Sequence, residues 1–265
     1  MTEKLPAVFE LAAPQGWRSI DFISDLHLCE AMPRTFDVWA AHLRHTPADA
    51  VFMLGDLFEL WVGDDMRRRP FEKGCVEVLA QASGLRRTFF MAGNRDFLLG
   101  EDMLRESGMT GLPDPTVLSS WGQRLLLSHG DALCLDDKPY QAFRAEVRSP
   151  QWQQQFLAKP LDERLAIAGQ IRQASQANHQ RRQFDGDAGA DVHFQAAIAW
   201  LQAAAASDLV HGHTHRPGSE NLAHGHWRHV LSDWDLDTAE RAQVLRWSVT
   251  GLQRVPPASA NAVGC

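Results

Sequence analysis

Five short apolar runs, each leaving directly into a carboxylate, an amide or an imidazole, constrain this chain more than any other feature. "SIDFI" (19–23) leads to Asp25 and His27, and "AVFML" (50–54) to Asp56. "TFFMA" (88–92) leads to Asn94, "RLLLS" (124–128) to His129, and "DLV" (208–210) to His211, His213 and His215. Runs of this length and composition, with glycine near the exit, read as buried strands. Between them the pattern is helical over 35–46, 74–84 and 191–206. Alternating strands and helices predict an α/β fold. In such folds ligands gather outside the carboxyl ends of the strands, where these polar residues fall. "WRHVLSDWDL" and "RAQVLRWSV" predict later strands of a second sheet. If the exits stay extended, Asp25-x-His27 and His213-x-His215 each put two side chains on one side.

Composition removes several functions. With 265 residues and a formal net charge of −7, the chain is not a general nucleic-acid binder. Cys29, Cys75, Cys134 and Cys265 form no CxxC pair, so neither a disulfide scaffold nor a thiolate zinc site is expected. No apolar run reaches membrane-spanning length, and the first residues lack a signal-peptide core. These features predict a reduced, cytoplasmic protein. Charge is uneven: residues 138–184 carry eight cations against three anions, leaving −12 for the remainder. That segment is helical, is interrupted at Pro150 and Pro160, and ends in the loop "FDGDAGAD" (184–191). It predicts an inserted helical lid with a positive surface.

Asp25, His27, Asp56, Asn94, His129, His213 and His215 supply only nitrogen and oxygen donors, a set suited to Mn²⁺, Fe²⁺ or Zn²⁺. Seven donors exceed the needs of one site and suit two ions sharing a bridging carboxylate. Such pairs cleave phosphoesters.

These motifs, "DLH…GD…GNRD…HGD…HGHTH", resemble the calcineurin-like metallophosphoesterase superfamily. "LGDLFELWVGDD", "GNRDFLLG", "ESGMTGLP", "HGDALCLDDKPYQAFR" and "HGHTHRP" are similar, more finely, to the UDP-2,3-diacylglucosamine pyrophosphatase family of lipid A biosynthesis. The resemblance implies a four-layer α-β-β-α sandwich with a helical lid. The core would span 1–138 and 185–254, the lid 139–184, and a disordered tail 255–265. It implies two Mn²⁺ ions: one on Asp25, His27, Asp56 and His215, the other on Asp56, Asn94, His129 and His213, with His211 supporting from outside. Asn94, Arg95 and His129 would be catalytic. Asn94, Arg95, Asp137, Ser175, His179, Arg182 and His213 would bind substrate. The implied reaction splits UDP-2,3-diacylglucosamine into UMP and 2,3-diacylglucosamine 1-phosphate, with attack at the uridine-side phosphorus. The implied enzyme is a monomer, peripheral on the cytoplasmic face of the inner membrane. The superfamily match alone leaves open another nucleotide or phosphodiester.

Arg95 is informative because arginine is a poor general acid. A sugar-phosphate leaving group, with a second pKa of about 6, needs no proton. Arg95 would therefore stabilise phosphoryl charge; the competing expectation is a surface ion pair with Asp96. Trp152, Phe156, Leu157, Leu161, Leu165 and Ile167 are expected to line an acyl pocket, or else to form ordinary helix–helix core. Arg67–Arg69 is expected either to meet anionic lipid or to be a solvated loop.

Overall fold

In the computed structural model the apolar runs become the inner strands of two stacked sheets. The structure describes residues 7–184 and 191–259, with side chains for all of these except 174–184. In chain order the strands and α-helices are β1 (Phe9–Ala12), β2 (Ser19–Ile23), α1 (Pro33–His45), β3 (Ala50–Leu54), α2 (Pro70–Leu85), β4 (Arg87–Met91), α3 (Glu101–Ser107), β5 (Thr110–Leu112), β6 (Thr116–Ser120), β7 (Gln123–Leu127), α4 (Lys138–Val147), α5 (Pro150–Leu157), α6 (Leu161–Phe184), α7 (Phe194–Ala203), β8 (Asp208–His211), β9 (Gly218–Ala223), β10 (His226–Val230), β11 (Val244–Ser248) and β12 (Gly251–Val255).

One sheet runs β12-β11-β2-β3-β4-β5 and the other β1-β6-β7-β8-β10-β9. The pairs β2–β3, β3–β4 and β7–β8 are parallel, so their carboxyl ends open on one edge of the sandwich. All five residues of β3 are buried, as expected where both faces of a sheet are covered. On the inner faces Ile20, Phe22, Phe52 and Phe89 meet Leu118, Leu125, Leu127 and Val210. Phe52 stacks on Phe89 with ring centroids 4.3 Å apart. Outside the first sheet, Trp39 and Leu43 of α1 and Leu79 of α2 pack on Ile23, Val51, Met53 and Phe90. Outside the second, Ala197, Ile198 and Leu201 of α7 pack on Val117, Leu126 and Leu209. These packings make the four α-β-β-α layers.

The helix between Pro70 and Leu85 starts earlier than its apolar periodicity suggests, because Pro70 supplies the fixed φ of a first turn. Pro150 likewise starts α5, behind the Ser149 cap, and Pro160 precedes α6. The expectation of a disordered tail from 255 is corrected. Val255 pairs with Val244, and Ala258 N–H donates to His42 Nδ1 at 3.1 Å on α1. Residues 260–265 lie outside the described residues.

Candidate metal centre

The seven donors meet at the carboxyl edge of the sheets, but not through strand alternation. β2 ends at Ile23 and β8 at His211, before the donors begin. Asp25 (φ 53°), His27 (49°), Asp56 (53°), His213 (66°) and His215 (51°) all adopt left-handed backbone. Each such residue costs on the order of 1 kcal/mol when it is not glycine. Five together mark turns over-determined by their surroundings: Asp25 N–H donates to Gly55 O, His27 N–H to Asp56 O, and Gly212 N–H to His129 O. The extended exits expected from the sequence are therefore replaced by hydrogen-bonded left-handed turns.

Asp25, His27 and His215 form one group. His215 Nε2 is 3.4 Å from Asp25 Oδ1 and 3.2 Å from His27 Nε2. Asp25, Asp56 and His129 form a second, with His129 Nε2 3.7 Å from Asp56 Oδ1. Asn94 Oδ1 joins it, 3.0 Å from His129 Nε2 and 2.8 Å from His213 Nδ1. His27 Nε2 is 4.0 Å from Asp56 Oδ2, so Asp56 lies between the groups. His211 stands apart: its ring is buried, its Nδ1 bonds Gly212 O at 2.8 Å, and burial lowers its pKa to about 4.

The donor chemistry fits divalent cations. His129 Nδ1 donates to Leu54 O at 3.0 Å, so in the neutral ring Nε2 turns a lone pair on Asn94 Oδ1. Two lone pairs facing at that distance require a positive charge between them. Without metal, a proton provides it. Burial opposes the imidazolium, but Asp56, Asp131 and Asp25 outweigh burial and raise His129 to about 9. Burial would likewise raise Asp25, yet its His215 hydrogen bond and the charges of His129, His215 and His27 hold it well below the carboxylate range. His213 is lowered to about 4 by burial and by neighbouring His129. A bound cation would displace the His129 proton. Two glycines are sterically required: a Cβ on Gly93 would overlap Asp56, and one on Gly212 would overlap Asp25 and Ser24.

A second set of acids, missed by sequence reasoning, holds the donors. Asp96 accepts the N–H groups of Gly93 (2.8 Å), Leu57 (2.7 Å), Phe58 (3.3 Å) and Asp56 (3.4 Å), so it clamps two donor loops rather than pairing with Arg95. Burial and Asp56 raise its carboxyl to about 6. Asp233 lies 3.7 Å from His215 Nδ1. Glu59 Oε2 lies 2.9 Å from His27 Nδ1, a close charged contact off the axis of the ring N–H. Asp131, fully buried, takes the Tyr140 hydroxyl at 2.7 Å and Arg144 Nε at 2.8 Å, with Arg148 at 3.6 Å. Tyr140 in turn stacks on His213, centroids 5.9 Å apart. Each of these acids except Asp233 lies within three residues of a donor, and that proximity was the available signal.

Arg95 N–H donates to Asp56 Oδ1 at 2.8 Å. Arg95 and Asn94 also open onto a cavity of about 470 Å³, lined by apolar residues including Trp61, Phe97, Phe143, Trp152, Phe156 and Ile171. Asp137, Tyr140 and Arg172 complete its polar rim. Of the expected acyl-pocket residues, Trp152 and Phe156 line it. Leu161, Leu165 and Ile167 instead pack on the core beneath the lid, and Leu157 is 43% exposed. "LW" after Asp56 and "FL" (97–98) after Asn94 supply walls that the lid alone could not. Asp137 caps α4, accepting from Tyr140 N–H at 3.2 Å. The side chains of Ser175, His179 and Arg182 lie outside the described residues. Arg67 bonds Glu106 at 2.7 Å and Asp102 at 3.2 Å, fastening the loop before α2 to α3.

The calcineurin-like phosphoesterase family model matches residues 18–217. The chain is 45% identical over 239 residues to the UDP-2,3-diacylglucosamine hydrolase of Xanthomonas axonopodis pv. citri, covering 87% of this chain and 95% of that protein. It is 42% identical over 250 residues to the protein of that name from Stenotrophomonas maltophilia (88% and 98% covered). The corresponding Chromobacterium violaceum protein is 43% identical over 223 residues (82% and 90%).

Proposed function

The chain belongs to the calcineurin-like phosphoesterase family, and on that premise we propose that it hydrolyses UDP-2,3-diacylglucosamine to UMP and 2,3-diacylglucosamine 1-phosphate. One observation carries the substrate reading: an apolar cavity opens on Asn94 and Arg95, which also adjoin the donor cluster, Asn94 through its side chain and Arg95 through its backbone N–H. A diphosphate at Arg95 would have its lipid tail beside it in that cavity, as ligand sites with few polar groups and apolar walls allow.

Asp25, His27, Asp56 and His215 would hold one Mn²⁺, and Asp56, Asn94, His129 and His213 the other. Such ions supply water activation near neutral pH and charge neutralisation. The remaining roles fall to side chains. Asp96 and Asp233 fix the donor loop and the His215 ring. Arg95 steadies charge on the diphosphate, a role that the fixed charge of an arginine suits better than proton donation. The leaving sugar phosphate, with a second pKa of about 6, departs without a proton. Asn94 and His129 act on the phosphoryl group, and His213, Asp137, Ser175, His179 and Arg182 contact substrate. Residues 139–184 serve as the lid on a core of 1–138 and 185–254.

No helix among the described residues is long and apolar enough to cross a membrane. We place the enzyme, as a monomer, peripherally on the cytoplasmic face of the inner membrane, because its substrate is a lipid. The test is metal-stripped protein reconstituted with Mn²⁺ and assayed in parallel on UDP-2,3-diacylglucosamine and a simple aryl phosphodiester. Two Mn²⁺ per chain and strong preference for the lipid substrate are expected. Preference for the simple diester would assign it to another branch of the family.

A further inference from the structure

We propose that Glu59 is a positioning residue that ties the lid to the metal centre through a single carboxylate. Its Oε2 lies 2.9 Å from His27 Nδ1, while its Oε1 lies 2.6 Å from a guanidinium nitrogen of Arg172 on α6. Glu59 follows Asp56 by three residues, and its N–H donates to Leu28 O at 3.2 Å. Its backbone therefore joins the two loops that carry Asp25, His27 and Asp56. Its side chain is only 15% exposed, and Arg172 lines the apolar cavity.

The inference rests on the metal-centre reading above. A carboxylate on the ring nitrogen opposite a metal fixes the tautomer and turn of that histidine and raises its basicity. Here the contact is short but off the N–H axis, so its value depends on how Glu59 is held. Arg172 holds it. Removing Arg172, which is not one of the metal donors, therefore weakens metal binding. By reciprocity, a filled metal centre favours the placement of α6 that walls the cavity. The lid is thus steadied when the site is loaded.

Titration of the metal-stripped full chain with Mn²⁺, followed by the electron paramagnetic resonance of free Mn²⁺, tests this. Glu59→Gln keeps the shape and removes the charge; it raises half-saturating Mn²⁺ about tenfold. Arg172→Gln raises it about fivefold, Arg172→Lys restores most of the loss, and the double variant is no weaker than Glu59→Gln alone. Circular dichroism of each metal-free variant establishes folding. If Glu59→Gln does not fold, Arg172→Gln and its lysine rescue decide. A Glu59→Gln curve superposing on the parent's, or an Arg172→Gln curve unchanged or tighter, overturns the proposal while leaving the metal centre standing. Failure of the parent itself to bind Mn²⁺ overturns the metal-centre reading, and this proposal with it.

Discussion

Arg95 directly follows the donor Asn94, and its backbone N–H is bonded to Asp56 Oδ1 at 2.8 Å. Arg95→His should keep that backbone bond and the metal donors while losing the fixed charge. We expect full metal content and a fall in kcat of about 100-fold on the diphosphate. Elemental analysis with steady-state kinetics checks both, and undiminished turnover would remove Arg95 from the chemistry. Gly212 makes the complementary prediction. A methyl there overlaps Asp25, so Gly212→Ala should lose metal with little loss of folded structure. A normal metal content would mean that Asp25 can move aside without consequence. At this scale the sequence was legible because donor chemistry is written in residue type. The left-handed φ at Asp25, His27, Asp56, His213 and His215 was not, since nothing about aspartate or histidine demands it.

At the scale of elements, α4 is fastened to the donor loops by side chains on one face. Tyr140, Arg144 and Arg148 recur every four residues, and all three meet Asp131. Arg148 also donates to Gly93 O at 2.9 Å, next to Asn94. Asp131→Asn leaves cations facing a neutral amide in a buried place, which should lower stability by about 3 kcal/mol. Urea unfolding measures it; a change within 0.5 kcal/mol, about the size of a surface substitution, would mean α4 is held elsewhere. The strands β2, β3, β4, β7 and β8 were readable from their apolar runs, because both their faces are covered. β1, with an exposed edge pattern, and the short β5 carry no such signal and exist only through their neighbours. The cavity was half legible. Trp152 and Phe156 were visible as lid residues, but Trp61, Phe97 and Phe143 reach the same space only after folding brings two loops and α4 together.

For the whole molecule, acid sensitivity should come partly from far outside the site. His42 is buried, accepts the Ala258 N–H on Nδ1, and is lowered to about 4 chiefly by burial. Below its ordinary value near 6.5 the unfolded chain binds a proton that the folded ring refuses. Stability from this group is thus complete above about 6.5 and declines as pH falls toward 4, by roughly 3 kcal/mol in all. Unfolding in chelator at pH 7 and pH 4.5 should bring parent and His42→Gln closer together at the lower pH. A gap that stays constant between the two would exclude His42 as a cause. The proposed reaction has water attacking the uridine-side phosphorus of the diphosphate. Metal-stripped, Mn²⁺-reconstituted protein turned over on UDP-2,3-diacylglucosamine in H₂¹⁸O, with both products weighed by mass spectrometry, tests it directly. ¹⁸O is expected in UMP, from attack at the uridine-side phosphorus with the sugar phosphate leaving unprotonated beside Arg95. Label in the 2,3-diacylglucosamine 1-phosphate would contradict that direction of attack, and no turnover would contradict the substrate itself.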